Sequence, residues 1–255
     1  MVYITGDTHA QFNRFNTKMF PEQKEMSKDD YVIICGDFGG VWNYSYSTKE
    51  EKYWLDWLGN KPFTLLFVDG NHENFDRLCG DFPTINYHGG KAHKIRNNIY
   101  HLMRGYVFEF DNKKFFVFGG AKSHDIQDGI LRLENYPTLS DLVKDYNRLT
   151  KSGKMLRINQ LSWWDKELPA YHEMKRGIRE LEKVDYNVDY VITHCLPYSI
   201  ISTLYTNSRD KLTKYFDSLL DKGLDFTEWH CGHYHMETKL LDKYIIHYEE
   251  IKRLI

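Results

Sequence analysis

Apolar residues along the chain fall in short runs that are separated by polar loops, and several runs have the length of buried β-strands. The first three runs cover residues 1–5, 30–35 and 63–68. A weaker helical spacing over residues 10–20 links the first two runs. Strands joined by crossovers pair in parallel, so the first third of the chain predicts a β-α-β-α-β unit.

The helix between the second and third runs has a recognisable start. Ser47 is followed three residues later by Glu50, which is a capping-box pattern. Its apolar face is predicted to contain Tyr53, Trp54, Trp57 and Leu58.

From residue 84 to residue 121 the pattern changes to strands with short turns, including a hairpin around residues 111–114. This part predicts a second sheet or the second half of a mixed one. Further along, helical spacing alternates with strand-like runs. The predicted elements are a helix over 174–184, a strand over 189–193, a helix over 208–220, a strand over 227–231 and a hairpin over 238–248.

Residues 122–168 show no sustained hydrophobic period, being first polar and then aromatic. We interpret them as an insertion or lid over the site. No internal repeat or linker interrupts the chain, so residues 1–255 are expected to form a single domain.

Composition is typical of a globular protein, because 42% of the 255 residues are hydrophobic and 16% are aromatic. The formal net charge is -2, from 34 basic and 36 acidic residues. Such a balance gives no electrostatic footprint for an extended duplex nucleic acid or an anionic membrane. We expect neither as a partner, and the sequence leaves the oligomeric state open.

The sequence also predicts a cytoplasmic location. No apolar run approaches the roughly 20 residues that span a bilayer, and the first strand begins at Met1, which leaves no room for a signal peptide.

The four cysteines of the chain are widely spaced and are interpreted as small buried hydrophobic residues rather than as metal ligands or a disulfide framework. They are Cys35, Cys79, Cys195 and Cys231.

Five polar motifs occur where strand-like runs end. They are GDTH at 6–9, GDFGG at 36–40, GNHE at 70–73, THC at 193–195 and GHYH at 232–235. Loops at the carboxyl ends of strands converge in open α/β sheets, so these side chains are expected to meet, with the motif glycines allowing tight turns. Asp, Asn and His form a mixed oxygen and nitrogen ligand set that suits divalent ions such as Mn, Fe or Zn.

In this order the motifs resemble the signature of the calcineurin-like metallophosphoesterase superfamily, which reads D-x-H, G-D-x-x-D, G-N-H-E/D, a single His and G-H-x-H. The resemblance extends from Asp7 to His235. The segments GGAKSHD (119–125) and WWDKE (163–167) are similar to the smaller bacterial and phage-type members. The resemblance implies an α/β fold, a four-layer α/β/β/α sandwich with two mixed β-sheets and helices on the outer faces.

The resemblance also implies two divalent metal ions (Mn, Fe, Zn or similar). One ion would be held by Asp7, His9 and His235, and the other by Asn71, His194 and His233. Asp37 would bridge them. The implied reaction is hydrolysis of a phosphomonoester or phosphodiester by in-line attack of a metal-bridging hydroxide.

His72 follows a ligand in the signature without being one, which makes it the expected catalytic residue. It would stabilise the transition state or protonate the leaving oxygen, with Glu73 as an orienting partner. Lys122 and His124 are candidates for contact with the substrate phosphate, although a solvated loop is the alternative role.

Two features bear on substrate choice. Gly40 stands where the second aspartate of G-D-x-x-D often occurs, so the loop is expected to lack an anchoring hydrogen bond or to be less specific, without loss of metal binding. Trp42, Tyr44 and Tyr46 follow Asp37 closely. They either stack an aromatic group of the substrate or pack within the loop.

The alternative to an enzyme is a catalytically silent metal-binding partner module of the same fold. Such a module would usually have lost ligands or the catalytic histidine, and this sequence keeps them all. Within the enzyme class, protein phosphatase, nucleotide phosphodiesterase and nuclease stay open. The near-neutral charge counts against a nuclease that grips long duplexes.

Overall fold

The structure is a computed structural model that describes residues 1–44, 46–204 and 209–255. Its strands are β1 (Val2–Thr5), β2 (Tyr31–Ile34), β3 (Thr64–Phe67), β4 (Thr84–Tyr87), β5 (Gly90–Arg96), β6 (Ile99–Leu102), β7 (Tyr106–Phe110), β8 (Lys113–Phe118), β9 (Gly129–Leu131), β10 (Leu156–Ile158), β11 (Tyr190–Thr193), β12 (Glu228–Cys231), β13 (Thr238–Leu240), β14 (Tyr244–Ile246) and β15 (Lys252–Arg253). Its α-helices are α1 (Lys49–Gly59), α2 (Phe75–Gly80), α3 (Leu139–Lys151), α4 (Tyr171–Glu182), α5 (Tyr198–Ile201) and α6 (Lys211–Asp221). Short 3-10 helices cover Phe12–Phe15, Pro21–Glu25, Leu133–Asn135 and Asp165–Glu167. Within the described ranges, no helix combines the length and the hydropathy needed to cross a lipid bilayer.

The strands form two large mixed sheets. The first sheet has the order β15-β1-β2-β3-β6-β5-β4, with parallel pairs from β1 to β6 and antiparallel pairs at both edges. The second has the order β13-β14-β12-β11-β8-β7, again parallel in the middle and antiparallel at both edges. Strands β9 and β10 form a separate parallel pair.

Alternating side chains on the strands produce four layers. Val2 and Ile4 of β1 pack between the sheets in one cluster with Phe115 and Val117 of β8. Tyr3 points to the opposite face of the first sheet and packs with residues of α1. The outer face of the second sheet packs against α4 and α6 in the same way. This arrangement confirms the predicted α/β/β/α sandwich.

The first three predicted strands are confirmed as β1, β2 and β3, but the predicted helix over residues 10–20 is wrong. That segment contains the 3-10 helix Phe12–Phe15, whose two phenylalanines are buried against the first sheet. The Asn16 side chain accepts hydrogen bonds from the backbone N–H groups of Lys18 and Met19. Such local side-chain bonds compete with helix propagation, and the helix ends there.

The predicted start of α1 is wrong by one residue. Thr48, rather than Ser47, is the N-cap, and its hydroxyl accepts from the backbone N–H of Glu51 at 3.2 Å. The Tyr53 ring, predicted on the apolar face, is 60% exposed, and Leu55 is buried instead. Leu55 and Leu58 are three residues apart and share the buried face, whereas Tyr53 lies two residues before Leu55, about 200° around the helix.

Later elements agree more closely with the sequence pattern. The hairpin of β7 and β8 turns at Asp111 and Asn112, whose φ values of 50° and 59° suit a two-residue turn. The helix predicted over 174–184 corresponds to α4, and that over 208–220 to α6. Ser208 lies outside the described residues, and α6 begins after its N-cap Asp210.

Residues 122–168 contain more regular structure than the sequence pattern predicted. They include α3 and the β9-β10 pair. Leu142 is the buried residue of α3, so this helix leaves little apolar periodicity in the sequence. The role of the segment as an insertion or lid stays a prediction.

Candidate metal centre

The seven side chains predicted as metal ligands lie at the carboxyl ends of strands from both sheets. The loops after β1, β2 and β3 contribute four of them, and the loops after β11 and β12 contribute three. The carboxylates and His194 are buried, whereas the His235 side chain is 49% exposed. The two sheets therefore meet at one open edge of the sandwich. The seven residues are Asp7, His9, Asp37, Asn71, His194, His233 and His235.

Three of these side chains form a first group. Asp7 Oδ2 lies 3.1 Å from His235 Nε2, and His9 Nε2 lies 3.1 Å from the same nitrogen. His9 Nε2 is also 3.7 Å from Asp7 Oδ2. Their ligand atoms all lie within 4.8 Å of one another, so one ion could contact them together.

A second group surrounds His194. Its Nε2 lies 3.3 Å from Asn71 Oδ1, and its ring centroid is 4.9 Å from that of His233. On the other side of the ring, Nδ1 lies 2.7 Å from the carbonyl oxygen of Cys35, which can only accept a hydrogen bond. His194 therefore donates through Nδ1 and turns Nε2 toward the site.

Asp37 lies between the two groups. Its Oδ2 is 3.7 Å from His9 Nε2 and 3.4 Å from His194 Nε2. Its Oδ1 accepts a hydrogen bond from the backbone N–H of His72 at 2.8 Å. One carboxylate oxygen is thus fixed by the backbone, and the other faces both groups.

The electrostatics of the site favour positive charge. Burial alone would lower the pKa of His194, but the negative charges of Asp37 and Asp7 raise that pKa to about 10. Burial would raise the pKa of Asp37, yet His194 holds it well below its usual value. A divalent ion would supply the positive charge in place of the proton on His194, so the residues present fit a metal site.

The two carboxylate oxygens of Asp7 have different surroundings, because Asp7 also forms a close group with Asp37 and His194. Asp7 Oδ1 accepts from the backbone N–H of His233 at 2.9 Å and lies 3.8 Å from His194 Nδ1. That nitrogen already donates to a carbonyl oxygen. Oδ2, which faces His9 and His235, is therefore the oxygen available to an ion.

Several of these residues have left-handed backbone conformations. The φ values are 44° at His9, 48° at Asp37, 69° at His233 and 49° at His235. Such conformations cost on the order of 1–3 kcal/mol each and collect at functional sites. Asp and His tolerate them better than most side chains, but the sequence alone gave no sign of them.

Glycines of the motifs allow the close approach of the carboxylates. A Cβ at Gly70 would lie 2.0 Å from Asp37 Oδ1, and one at Gly232 would lie 2.1 Å from Asp7 Oδ1. Neither glycine has a left-handed φ, whereas Gly36 has a φ of 96°. The motif glycines were predicted to allow tight turns, and this reason applies to Gly36. Gly70 and Gly232 are needed because they have no side chain.

His72 lies beside both groups. Its ring centroid is 5.4 Å from that of His9 and 6.2 Å from that of Trp42. Burial lowers the pKa of His72, although the negative charge of Asp37 opposes this shift. A cavity of about 290 Å³ at the site is lined by His72 together with Asp37 and Asn71.

Glu73 does not orient His72, contrary to the sequence-based expectation. Its buried Oε1 accepts from the backbone N–H of Phe38 at 2.7 Å, and burial raises its pKa well above the usual value. Glu73 thus anchors the loop that contains Gly40. This loop keeps an anchoring hydrogen bond without a second aspartate, and a Cβ at Gly40 would lie 2.3 Å from the Phe38 ring.

The two predicted phosphate-contacting residues are placed differently. His124 Nε2 lies 2.8 Å from His233 Nε2, and His124 lines the cavity at the site. Lys122 lines a narrow recess that shares His124 and His233 with the site cavity, and it does not line that cavity itself. The structure therefore brings His124 next to a candidate ligand and places Lys122 in the adjoining recess.

A buried chain of hydrogen bonds behind Asn71 was not predicted from the sequence. Asn71 Nδ2 donates to Ser123 Oγ at 3.4 Å, and Ser123 Oγ donates to Glu167 Oε2 at 2.5 Å. Glu167 is 1% exposed. Both residues belong to the segments GGAKSHD and WWDKE, but their 44-residue separation hid the pairing.

Comparison with known proteins gives two results. Residues 1–237 match the family model described as calcineurin-like phosphoesterase. Lariat debranching enzyme A of Xenopus laevis is 24% identical over 234 residues, which cover 84% of this chain and 36% of that protein. The chain thus spans about a third of the length of the curated relative it matches.

Proposed function

The chain belongs to the calcineurin-like phosphoesterase family, and we propose that it is a metal-dependent phosphoesterase that acts with two divalent ions. The family match confirms the superfamily that the ordered motifs predicted. One observation supports two ions most directly: Asp37 Oδ2 faces His9 Nε2 at 3.7 Å and His194 Nε2 at 3.4 Å. A carboxylate between two ligand groups is the arrangement that a bridging ligand requires.

The proposed ligands follow the two groups. Asp7, His9 and His235 hold one ion. Asn71, His194 and His233 hold the other. Asp37 is shared, and the native ions are Mn, Fe, Zn or similar, since carboxylate, amide and imidazole donors suit such metals.

Bound divalent ions supply Lewis-acid activation of water and neutralise the charge of a phosphate group. The chain's own residues hold the reacting groups in place. The backbone N–H of His72 fixes Asp37 Oδ1, and the Cys35 carbonyl fixes the ring of His194. The His72 ring lines the cavity and donates a hydrogen bond or a proton to the leaving oxygen of a phosphomonoester or phosphodiester.

Measurement of metal content together with hydrolysis tests this proposal. Protein loaded with Mn²⁺ is expected to hold two ions per chain and to hydrolyse aryl phosphate monoesters or diesters. Asp37→Ala should lose bound metal and activity together. His72→Ala should keep the metal and lose about 10²- to 10⁴-fold in kcat, because it removes general acid catalysis alone.

Asp56→Ala is the matched control for Asp37→Ala, since that carboxylate on α1 is 67% exposed and pairs with Arg96 at 3.1 Å. It should change neither metal content nor rate. A single ion per chain would contradict the dinuclear arrangement. Two bound ions with no hydrolysis of any ester, and no effect of His72→Ala, would identify the silent metal-binding module instead.

A further inference from the structure

A second cavity adjoins the candidate metal centre. Its volume is about 340 Å³, and it shares His9 and His72 with the site. Cavities of roughly 300–1,000 Å³ are typical of small-molecule sites. A molecule that occupies both cavities would pass directly beside His72.

The walls of this second cavity are aromatic and flat. Trp42 and Trp54 line it, together with Phe12 and the backbone of Gly39 and Gly40. Trp42 is held in place edge-to-face by Trp164, with ring centroids 5.6 Å apart. A cavity lined by two indole rings and a phenyl ring suits a planar aromatic group.

The charge of the lining argues against an anion in this slot. None of the described residues that line this cavity is Lys or Arg. Glu50 and Glu51 both line it. Glu51 is neutralised by Arg77 at 2.7 Å, but Glu50 is exposed at the rim. A second phosphate group would therefore be repelled, and a neutral ring would not.

We propose that this cavity binds a neutral, planar aromatic ring, which is the organic part of the phosphate ester that the metal centre hydrolyses. The assignment of the ring to a substrate rests on the proposed function. The substrate class is then an ester of a nucleoside or of a phenol rather than an aliphatic ester. Gly40, which departs from the family signature, lines this cavity, and a Cβ there would meet the Phe38 ring at 2.3 Å.

Kinetics on matched esters test the inference. The ratio of kcat/KM for phenyl phosphate to that for ethyl phosphate, and the same ratio for a nucleoside monophosphate, are measured for Mn²⁺-loaded protein. Trp42→Ala should lower both ratios by roughly five-fold to a hundred-fold, the loss expected for one stacked ring. Trp42→Phe should restore most of the loss, because it keeps an aromatic face.

Tyr171→Ala is the control, since this ring at the start of α4 is 69% exposed and does not line the cavity. It should leave the ratios unchanged. Glu50→Gln separates the two sources of a ring. It should weaken esters of adenosine or cytidine, whose amino groups can donate to the carboxylate, more than phenyl phosphate.

A binding measurement without phosphate separates this inference from the proposed function. Adenosine and phenol are titrated separately into the protein, and binding is measured by calorimetry and tryptophan fluorescence. Binding that is lost in Trp42→Ala and kept in Trp42→Phe supports the cavity assignment even if no ester is hydrolysed. No binding of either ring compound, together with ester ratios that Trp42→Ala leaves unchanged, would overturn it and leave the phosphoesterase proposal standing.

Discussion

At the scale of single residues, Gly70 controls the position of Asp37. Because a Cβ at Gly70 would lie 2.0 Å from Asp37 Oδ1, Gly70→Ala should displace that carboxylate and reduce the number of bound ions. Metal content after dialysis against dilute Mn²⁺ measures the effect. Gly80→Ala is the control, since a Cβ there would contact nothing within 4 Å. Equal metal content in the two variants would contradict the prediction.

The Ser123 hydroxyl should act as a positioning group for Asn71. Its removal in Ser123→Ala leaves the buried Glu167 carboxyl without the 2.5 Å hydrogen bond and frees the Asn71 amide to rotate. Outer hydrogen bonds of this kind are worth about 10- to 100-fold in metal affinity. We therefore expect Ser123→Ala to bind the second Mn²⁺ ion more weakly, with a larger dissociation constant in calorimetric titrations.

Ser123→Thr serves as the control, because it keeps the hydroxyl. A dissociation constant that is unchanged in Ser123→Ala would show that other contacts hold Asn71. A loss that is equal in the two variants would instead indicate disturbed packing around residue 123.

The candidate ligands could be placed near one another from the sequence because each follows a strand-like run, as Asp7 follows β1 and Asn71 follows β3. The link from Ser123 to Glu167 was not accessible, since it joins two loops through space. The same holds for Glu73, whose sequence position beside His72 suggested a partner that the fold does not provide.

At the scale of elements, the N-cap of α6 offers a clear test. The Asp210 side chain accepts from the backbone N–H groups of Leu212 and Thr213 at 2.6 and 3.1 Å. Asp210→Ala should therefore lower the free energy of unfolding by about 1 kcal/mol, measured by urea denaturation. Several residues of α6 are buried in the core, so the whole fold should respond.

Asp221→Ala, at the opposite end of α6, is the matched control. A carboxylate at a helix C-terminus interacts unfavourably with the helix dipole. Its removal should leave stability unchanged or slightly higher. A loss equal to that of Asp210→Ala would indicate a general effect of charge rather than of capping.

Elements were predicted well where burial imposes a strong period and poorly where local contacts decide. The strands β1, β2 and β3 have fully buried runs, and α4 has Met174, Ile178 and Leu181 at helical spacing. In contrast, α3 buries Leu142 and little else, and its sequence reads as polar. The helix predicted after β1 does not form beyond Asn16, because the Asn16 side chain accepts local backbone hydrogen bonds. A hydropathy pattern does not show such bonds.

At the scale of the whole molecule, buried histidines should make the fold sensitive to acid. His93 on β5 lies opposite His101 on β6, with their Nδ1 atoms 2.9 Å apart. Burial, and then the neighbouring His101, lowers the pKa of His93 to about 4. Burial lowers the pKa of His230 and His247 as well.

At these buried histidines the unfolded chain, with pKa values of about 6.5, binds more protons than the folded chain between pH 6.5 and 4. Stability should therefore fall as the pH drops through this window, and the contribution of His93 should level off below pH 4. Urea midpoints at pH 7.5 and 5.0 measure the loss. His93→Gln should show a smaller loss, and His172→Gln, which removes an exposed histidine, should behave like the parent. Identical losses in all three proteins would contradict the assignment to His93.

The division of the candidate ligands between the two sheets has a mechanical consequence. The first sheet contributes residues such as Asp7 and Asp37, and the second contributes His194 and His235. Ions bound between them would cross-link the two sheets and resist any sliding of one sheet over the other. The edge with the candidate metal centre would then also hold the two sheets together. Removal of the ions by a chelator would loosen the packing between the sheets as well as stop the reaction.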